Sequence, residues 1–181
     1  MEAEKYISVS YYRSPFGELI LGSFDGDLCL CDWRYRKMRQ AVDNRIKTGL
    51  QAEFKTEETP VIKATIQQLE AYFEGKRKDF EVPLRFVGSG FQKRVWKALL
   101  NIPFGETITY LDLAKSLGDE KSIRAAASAN GANAISIIVP CHRVVGQNGK
   151  LTGYAGGLET KRRLLLLESK GLHKNELPLF D

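Results

Sequence analysis

Histidine and cysteine are scarce in this chain, and long apolar runs are missing from it. The only histidines are His142 and His173, and the only cysteines are Cys29, Cys31 and Cys141. An odd, small number of cysteines argues against a disulfide framework. Cys29 and Cys31 lie two apart in LCLCDW, so on a strand they share one face. With no histidine near them they make a poor zinc site, and we expect no metal. No apolar stretch reaches the roughly 18 residues that span a bilayer. The start, MEAEKYISVS, lacks the basic-then-apolar pattern of a secretory leader. The expectation is therefore no membrane association and a cytoplasmic location, or a nuclear one in a eukaryote.

What is present is the composition of an ordinary folded protein. The 181 residues are 43% hydrophobic and 27% charged, enough for one large domain or two small ones. Charge is unevenly placed. Residues 1–85 hold 14 Lys+Arg against 14 Asp+Glu, while residues 86–181 hold 13 against 8, so the whole excess of +5 lies in the second half. A basic half suits a polyanionic partner, most often nucleic acid.

The first half reads as strands followed by a helix. Tyr6–Tyr12, Glu18–Phe24 and Leu28–Trp33 are β-rich runs separated by SPFG and DGD, which predicts an antiparallel meander. TGLQAEFKTEE reads as a polar mobile loop. Thr59 then caps a helix with Pro60 at its first position, and Ile62, Ile66, Leu69 and Phe73 keep helical spacing up to Gly75. DFEVPL reads as one more strand, and RFVGSG (85–90) as a linker. Beyond it the pattern becomes helical: Phe91, Val95 and Leu99 with Trp96 beside them, then about 107–117, then KSIRAAASAN. Short helices joined by a tight turn containing Gly118 are a helix-turn-helix candidate. The run after Arg124 is almost bare: Ala125, Ala126, Ala127, Ser128, Ala129. Helix propensity and close packing account for it, and so does close approach to a partner with one long cation projecting from a smooth face. Asn148-Gly149 predicts a hairpin turn, GYAGG (153–157) a flexible loop, and about 158–169 a last helix. SKGLHKNELPLFD (169–181) carries no assignable pattern, and Lys174–Asp181 is compatible with disorder or with packing on the body. The fold class is α+β: a small N-terminal antiparallel-sheet α/β domain over 1–85, then a mainly helical domain over 86–181.

IIVPCHRVV (137–145) sets a thiol, an imidazole and a guanidinium inside what otherwise reads as a buried strand. A reactive cysteine needs a base, and the base needs something to hold it. Cys141, His142 and Glu168 supply those types. Glu168 sits near the negative end of the last helix, so burial there would demand a partner such as His142. On types and spacing alone, a Cys-His hydrolase, a non-catalytic helix-turn-helix regulator and an inert buried cysteine all stay open.

PCHRV at 140–144 resembles the signature of the O6-alkylguanine-DNA alkyltransferases, proteins that take an alkyl group from guanine onto themselves once. FQKRVWKALLNIPFGETITYLDLAKSLG, SIRAA, Asn133, VVGQNGKLTGYAGGL and the Leu-rich helix with Glu168 are similar to the family in order and spacing over about 86–170. Residues 1–85 resemble its ribonuclease-H-like domain more loosely. The resemblance implies that Cys141 accepts the alkyl group, with His142 taking the thiol proton through a water and Glu168 holding the imidazole. It makes Asn133 the brace of the active-site turn and Tyr110 the residue that presses the target phosphate and donates to guanine N3. Arg124 becomes the finger replacing a flipped base, on a helix whose Ala125, Ala126 and Ser128 lie in the minor groove. Main-chain groups of Cys141 and Val144 would read the guanine amino group, and the loop Tyr154, Ala155, Gly156 would line the pocket, with the Ala155 amide at O6. The implied partner is double-stranded DNA carrying O6-alkylguanine, with O4-alkylthymine as an open extension. The protein would act as a monomer and without a cofactor, since the DNA is itself the donor. Ala134 and Ser136 stand where the family often has proline, which leaves tolerance of bulky adducts open.

Overall fold

The computed structural model describes residues 3–170 and divides into two units, Met1–Gly88 and Ser89–Asp181. The unassigned tail from residue 171 onward, with His173, lies outside the described residues.

In the first unit the expected meander forms. Strands β1 (Tyr6–Ser14), β2 (Gly17–Phe24) and β3 (Asp27–Trp33) pair antiparallel, with Leu21 opposite Ser10 and Cys31. The segment read as a mobile loop is ordered instead. Helix α1 (Arg39–Leu50) ends at Gln51 in the left-handed conformation, and the chain enters β4 (Glu53–Thr56). Strand β4 pairs parallel to β1, so the sheet is mixed, in the order β3-β2-β1-β4. Polar composition hid this strand because it is an edge strand, mostly exposed, and alternation carries no signal where neither face is buried. Helix α2 (Pro60–Phe73) begins as read: the Thr59 hydroxyl accepts from the Ile62 amide, and Pro60 occupies the first turn. Its buried stripe is Ile62, Thr65, Leu69 and Tyr72. DFEVPL makes no strand; only Leu84 bridges to Leu28, through Leu28 N to Pro83 O and Arg85 N to Leu28 O.

The second unit opens with a capping box. Ser89 caps α3 (Gly90–Leu99), and Gln92 returns the bond. Val95, Trp96 and Leu99 are buried, and the Trp96 indole donates to Ala129 O at 2.8 Å, tying α3 to α5 (Ile123–Gly131). The intervening helix α4 (Tyr110–Ser116) starts three residues later than the spacing suggested. Thr109 and Asp112 form a second capping box there, and Ile108–Thr109 is extended as β5. Between α4 and α5, Gly118 takes a φ of 83°, the conformation that lets the turn close. The turn expected at Asn148-Gly149 forms, with φ of 60° and 76° at its two central residues, Lys150 N donating to Gln147 O at 3.4 Å and Gly146 N to Lys150 O at 2.7 Å. It does not join two paired strands, because the strand before it, β6 (Val144–Val145), pairs parallel to β5 instead. Helix α6 (Leu158–Lys170) closes the unit, with Lys161, Leu164, Leu165 and Glu168 buried. No described helix is long and apolar enough to cross a membrane.

Candidate active site

The segment before Cys141 is not a strand. Ile138 N donates to Ser136 O at 2.9 Å around Ile137, whose φ is 73°. That is a γ-turn of the strained hand, and a β-branched residue there costs about 1–3 kcal/mol. Cys141 N then donates to Val139 O at 2.8 Å around Pro140, at φ −82° and ψ 63°, a γ-turn of the relaxed hand. Asn133 holds the strained part in shape. Its side-chain nitrogen donates to Ile135 O (3.2 Å) and Val139 O (3.0 Å), and its oxygen accepts from Ile135 N (2.9 Å). Cys141–Arg143 follow as one 3-10 turn, and β6 carries the chain on beside β5. Two paired residues, Ile108 with Val144 and Thr109 with Val145, thus set the start of α4 next to the cysteine turn.

Cys141 is buried but retains 4% of its surface, while His142 and Glu168 retain none. His142 Nε2 lies 2.8 Å from Glu168 Oε1. Glu168 has a further partner that sequence reasoning missed. Arg143 donates to it twice, from Nε to Oε2 and from one terminal nitrogen to Oε1, both at 2.9 Å, and its other terminal nitrogen donates to Ile102 O at 2.6 Å. Gly105 N adds a longer bond to Oε2. Burial alone would raise the Glu168 carboxyl, but the charges and hydrogen bonds of His142 and Arg143 outweigh it and hold the group well below the usual carboxylate range. An ionised carboxylate can only accept, so His142 Nε2 carries a proton, and in the neutral imidazole that places the lone pair on Nδ1. The missed signal was the Arg beside the Cys-His pair, a second basic partner for a buried Glu.

Lys161 was also missed. It is fully buried on α6 and donates to Val144 O at 2.7 Å and Thr152 O at 2.9 Å. Burial lowers its pKa to about 8, with the charge of Cys141 acting the other way. The Val144 carbonyl, expected to read a base, is therefore held by this ammonium. Tyr110 is the first residue of α4 and half-buried, with Thr152 Oγ1 3.4 Å from its hydroxyl. Tyr154, Ala155 and Gly156 are partly exposed, and the Tyr154 ring meets His142 edge-on, with centroids 6.4 Å apart.

On α5, Arg124, Ala125 and Ser128 are exposed, as a helix presented to a partner requires. Ala126 is not. It is fully buried and, with Ala129, belongs to the face that packs inward. At 3.6 residues per turn a run of small residues cannot face outward throughout, so the expectation for Ala126 is corrected. Among the described residues no group of three or more His, Cys, Asp or Glu side chains is placed to hold a metal ion.

Two family models match this architecture. One, the ribonuclease-like domain of 6-O-methylguanine DNA methyltransferase, matches residues 7–86; the other, the DNA binding domain of the same family, matches residues 90–170. A Methanosarcina barkeri protein named methylated-DNA--protein-cysteine methyltransferase is 51% identical over 160 residues, covering 88% of this chain and 96% of its own. The crystal structure of Mycobacterium tuberculosis O6-methylguanine methyltransferase aligns with a TM-score of 0.78 at 38% identity, covering 97% of this chain and 99% of that one. The structure of Mycobacterium tuberculosis OGT in complex with DNA aligns at 0.76 and 38% identity, over 92% and 94%.

Proposed function

The chain belongs to the methylated-DNA–protein-cysteine methyltransferase family, and from that premise we propose that it repairs duplex DNA by moving an alkyl group from guanine O6 onto Cys141. The observation that carries this reading is the half-satisfied imidazole beside a buried thiol: His142 is held through Nε2 by an ionised Glu168, which leaves Nδ1 free to act as the base.

The target guanine leaves the base stack, and Arg124 fills the space from the exposed face of α5. Carbonyl groups of Cys141 and Val144 accept from the guanine amino group, and the Ala155 amide donates at O6. The thiol proton passes through a water to His142 Nδ1. The sulfur forms a bond to the alkyl carbon as the carbon–O6 bond breaks, and the electron pair goes to the purine. Tyr110 donates to N3 as that charge develops. Arg143 keeps Glu168 ionised throughout, so the acid orients the imidazole without taking its proton. The product is a thioether that nothing in the site can hydrolyse, so each molecule acts once, as a monomer, on one lesion. Shape and lesion access, rather than base sequence, govern binding.

The test is mass spectrometry of the protein after incubation with an oligonucleotide duplex containing O6-methylguanine. The expected result is one added methylene mass per chain, located on the Cys141 peptide. Turnover without modification, or modification elsewhere, overturns the reading. Arg124→Ala should slow repair in duplex DNA more than reaction with a free alkylguanine base, and equal losses contradict the finger.

A further inference from the structure

Asn130 has no part in the scheme above, yet its side chain faces the main chain of Cys141. It stands near the end of α5, 5% exposed, and the neighbouring Ala129 carbonyl is fixed by the Trp96 indole. Its side-chain nitrogen faces the Cys141 carbonyl at 3.5 Å, which only a donor can do, so the amide orientation is settled. Its oxygen, Oδ1, is consequently a buried acceptor with no protein donor. His142 Nδ1 is a second one. A buried acceptor left unmatched is costly, and native proteins retain one where function uses it.

These two orphans cannot satisfy each other, since both are acceptors. A single water can satisfy both, because it has two protons to give, and it still offers a lone pair to a third group. The thiol of Cys141, joined to His142 in the chain and touched by Asn130 through its own carbonyl, is the donor at hand. We propose that Asn130 Oδ1 and His142 Nδ1 together hold one water against the Cys141 thiol, which makes Asn130 a positioning residue for the thiol proton. The inference rests on the reading of His142 as the base. The water accepts the thiol proton and passes one of its own to Nδ1; its other proton stays on the water, donated to Asn130 Oδ1, and fixes its orientation. Without Asn130 the water can rotate, and the transfer path is open only part of the time. The placement also explains why a polar side chain occupies the inward face of a helix otherwise packed with alanine: Ala126 and Ala129 fill space there, whereas Asn130 brings a lone pair.

Two measurements test this. The first is an experimental structure of the unalkylated wild-type protein at a resolution that shows ordered water. A water within hydrogen-bond distance of Cys141 Sγ, His142 Nδ1 and Asn130 Oδ1 supports the proposal; no water, or one that bonds His142 alone, overturns it. The second compares wild type with Asn130→Leu, which keeps the volume and removes the lone pair. Alkylation of Cys141 by iodoacetamide at neutral pH should fall about tenfold, the size of one lost hydrogen bond in a proton-transfer path. Its pH profile should move to higher pH, and methyl transfer from O6-methylguanine DNA should fall by a similar factor at unchanged DNA affinity. A merely structural Asn130 predicts an unmoved pH profile, because losing its bond to the Cys141 carbonyl changes stability and not the protonation of the thiol. Iodoacetamide needs no DNA, so this arm answers for Asn130 even where the methyl-transfer arm fails and the repair reading with it. If Asn130→Leu does not fold, the wild-type water alone decides.

Discussion

Each unit buries a carboxylate between two basic side chains and places cysteine close by, yet only one of these arrangements is equipped for chemistry. In the first unit Asp32 accepts from Arg36 at 3.0 Å and Arg39 at 3.1 Å, and Cys31 precedes it in β3. In the second, Glu168 accepts from Arg143 and His142, and Cys141 precedes that histidine. Both of Asp32's partners are permanent charges, so the cluster holds the end of β3 to the start of α1 and can do nothing else. Replacing one arginine with a histidine turns the same electrostatic motif into an oriented base. Burial pushes the thiol of Cys29 up to about 12 and that of Cys31 further still, where neither yields a thiolate. A buried ion cluster is thus no sign of a site; a titratable member with an unspent lone pair is.

The largest effect should come from exchanging the thiols. Cys141→Ser abolishes methyl uptake while DNA affinity stays within about twofold, since no phosphate contact is lost. Cys29→Ala and Cys31→Ala keep one methyl per chain and cost only stability, about 1–2 kcal/mol for a small buried side chain. Intact-mass and denaturant titrations read both; any methyl on Cys29 or Cys31 would erase the contrast.

Next in size are the carboxylates. Glu168→Gln leaves Arg143 buried without its counter-charge and should destabilise by about 3–5 kcal/mol. It also lets the imidazole turn, so transfer at neutral pH falls about 100-fold or more in protein that remains folded. Asp32→Asn should cost stability of the same order and leave transfer unchanged below its melting temperature. If both variants lose transfer equally, the two clusters differ less than their partners suggest.

Acid and alkali sharpen the same comparison. The Glu168 carboxyl is depressed on folding, so its stabilisation is present above the ordinary carboxylate value of about 4.3 and is lost as pH falls toward its lowered value. Lys161 runs the other way. A lysine lowered to about 8 carries its full burial cost below that pH, and stability recovers as pH rises from about 8 to about 10.4, where the unfolded chain also loses the proton. Urea titrations at pH 7 and 9.5 should therefore show a gain at alkaline pH that Lys161→Met lacks.

How much of this the sequence carried depends on the kind of residue. The meander, Thr59-Pro60 and the helical spacing of the second unit were legible because side-chain period and capping chemistry are local. Cys141, His142 and Glu168 were found through the residue types a reactive thiol needs, and Asn133 through motif resemblance; the structure brings His142 to Glu168 and sets Asn133 under the turn that carries Cys141. Strand β4, the β5–β6 pair and α1 were not legible: the strands are short or exposed, and α1 buries only Val42 and Ile46. Arg143, Lys161 and Asn130 escaped for another reason. Each acts by touching a backbone or carboxylate far along the chain, and nothing at its own position announces that partner.

The smallest predicted difference concerns two threonines that do the same local job. Thr59 caps α2 in the first unit and Thr109 caps α4 in the second, each by accepting from the amide three residues on. Alanine at either should cost about 1 kcal/mol, the usual worth of such a cap. Stability therefore cannot tell them apart. Function should, because Tyr110 follows Thr109 directly, and β5, which Thr109 ends, is paired to the strand leaving the cysteine turn. Fraying that cap loosens the residue proposed to meet the base, so Thr109→Ala should slow methyl transfer several-fold while Thr59→Ala leaves it alone. A Thr109→Ser variant, which keeps the cap oxygen, should restore the rate. Equal rates in both alanine variants would mean that Tyr110 is held by its packing beside Thr152 and not by the start of its helix.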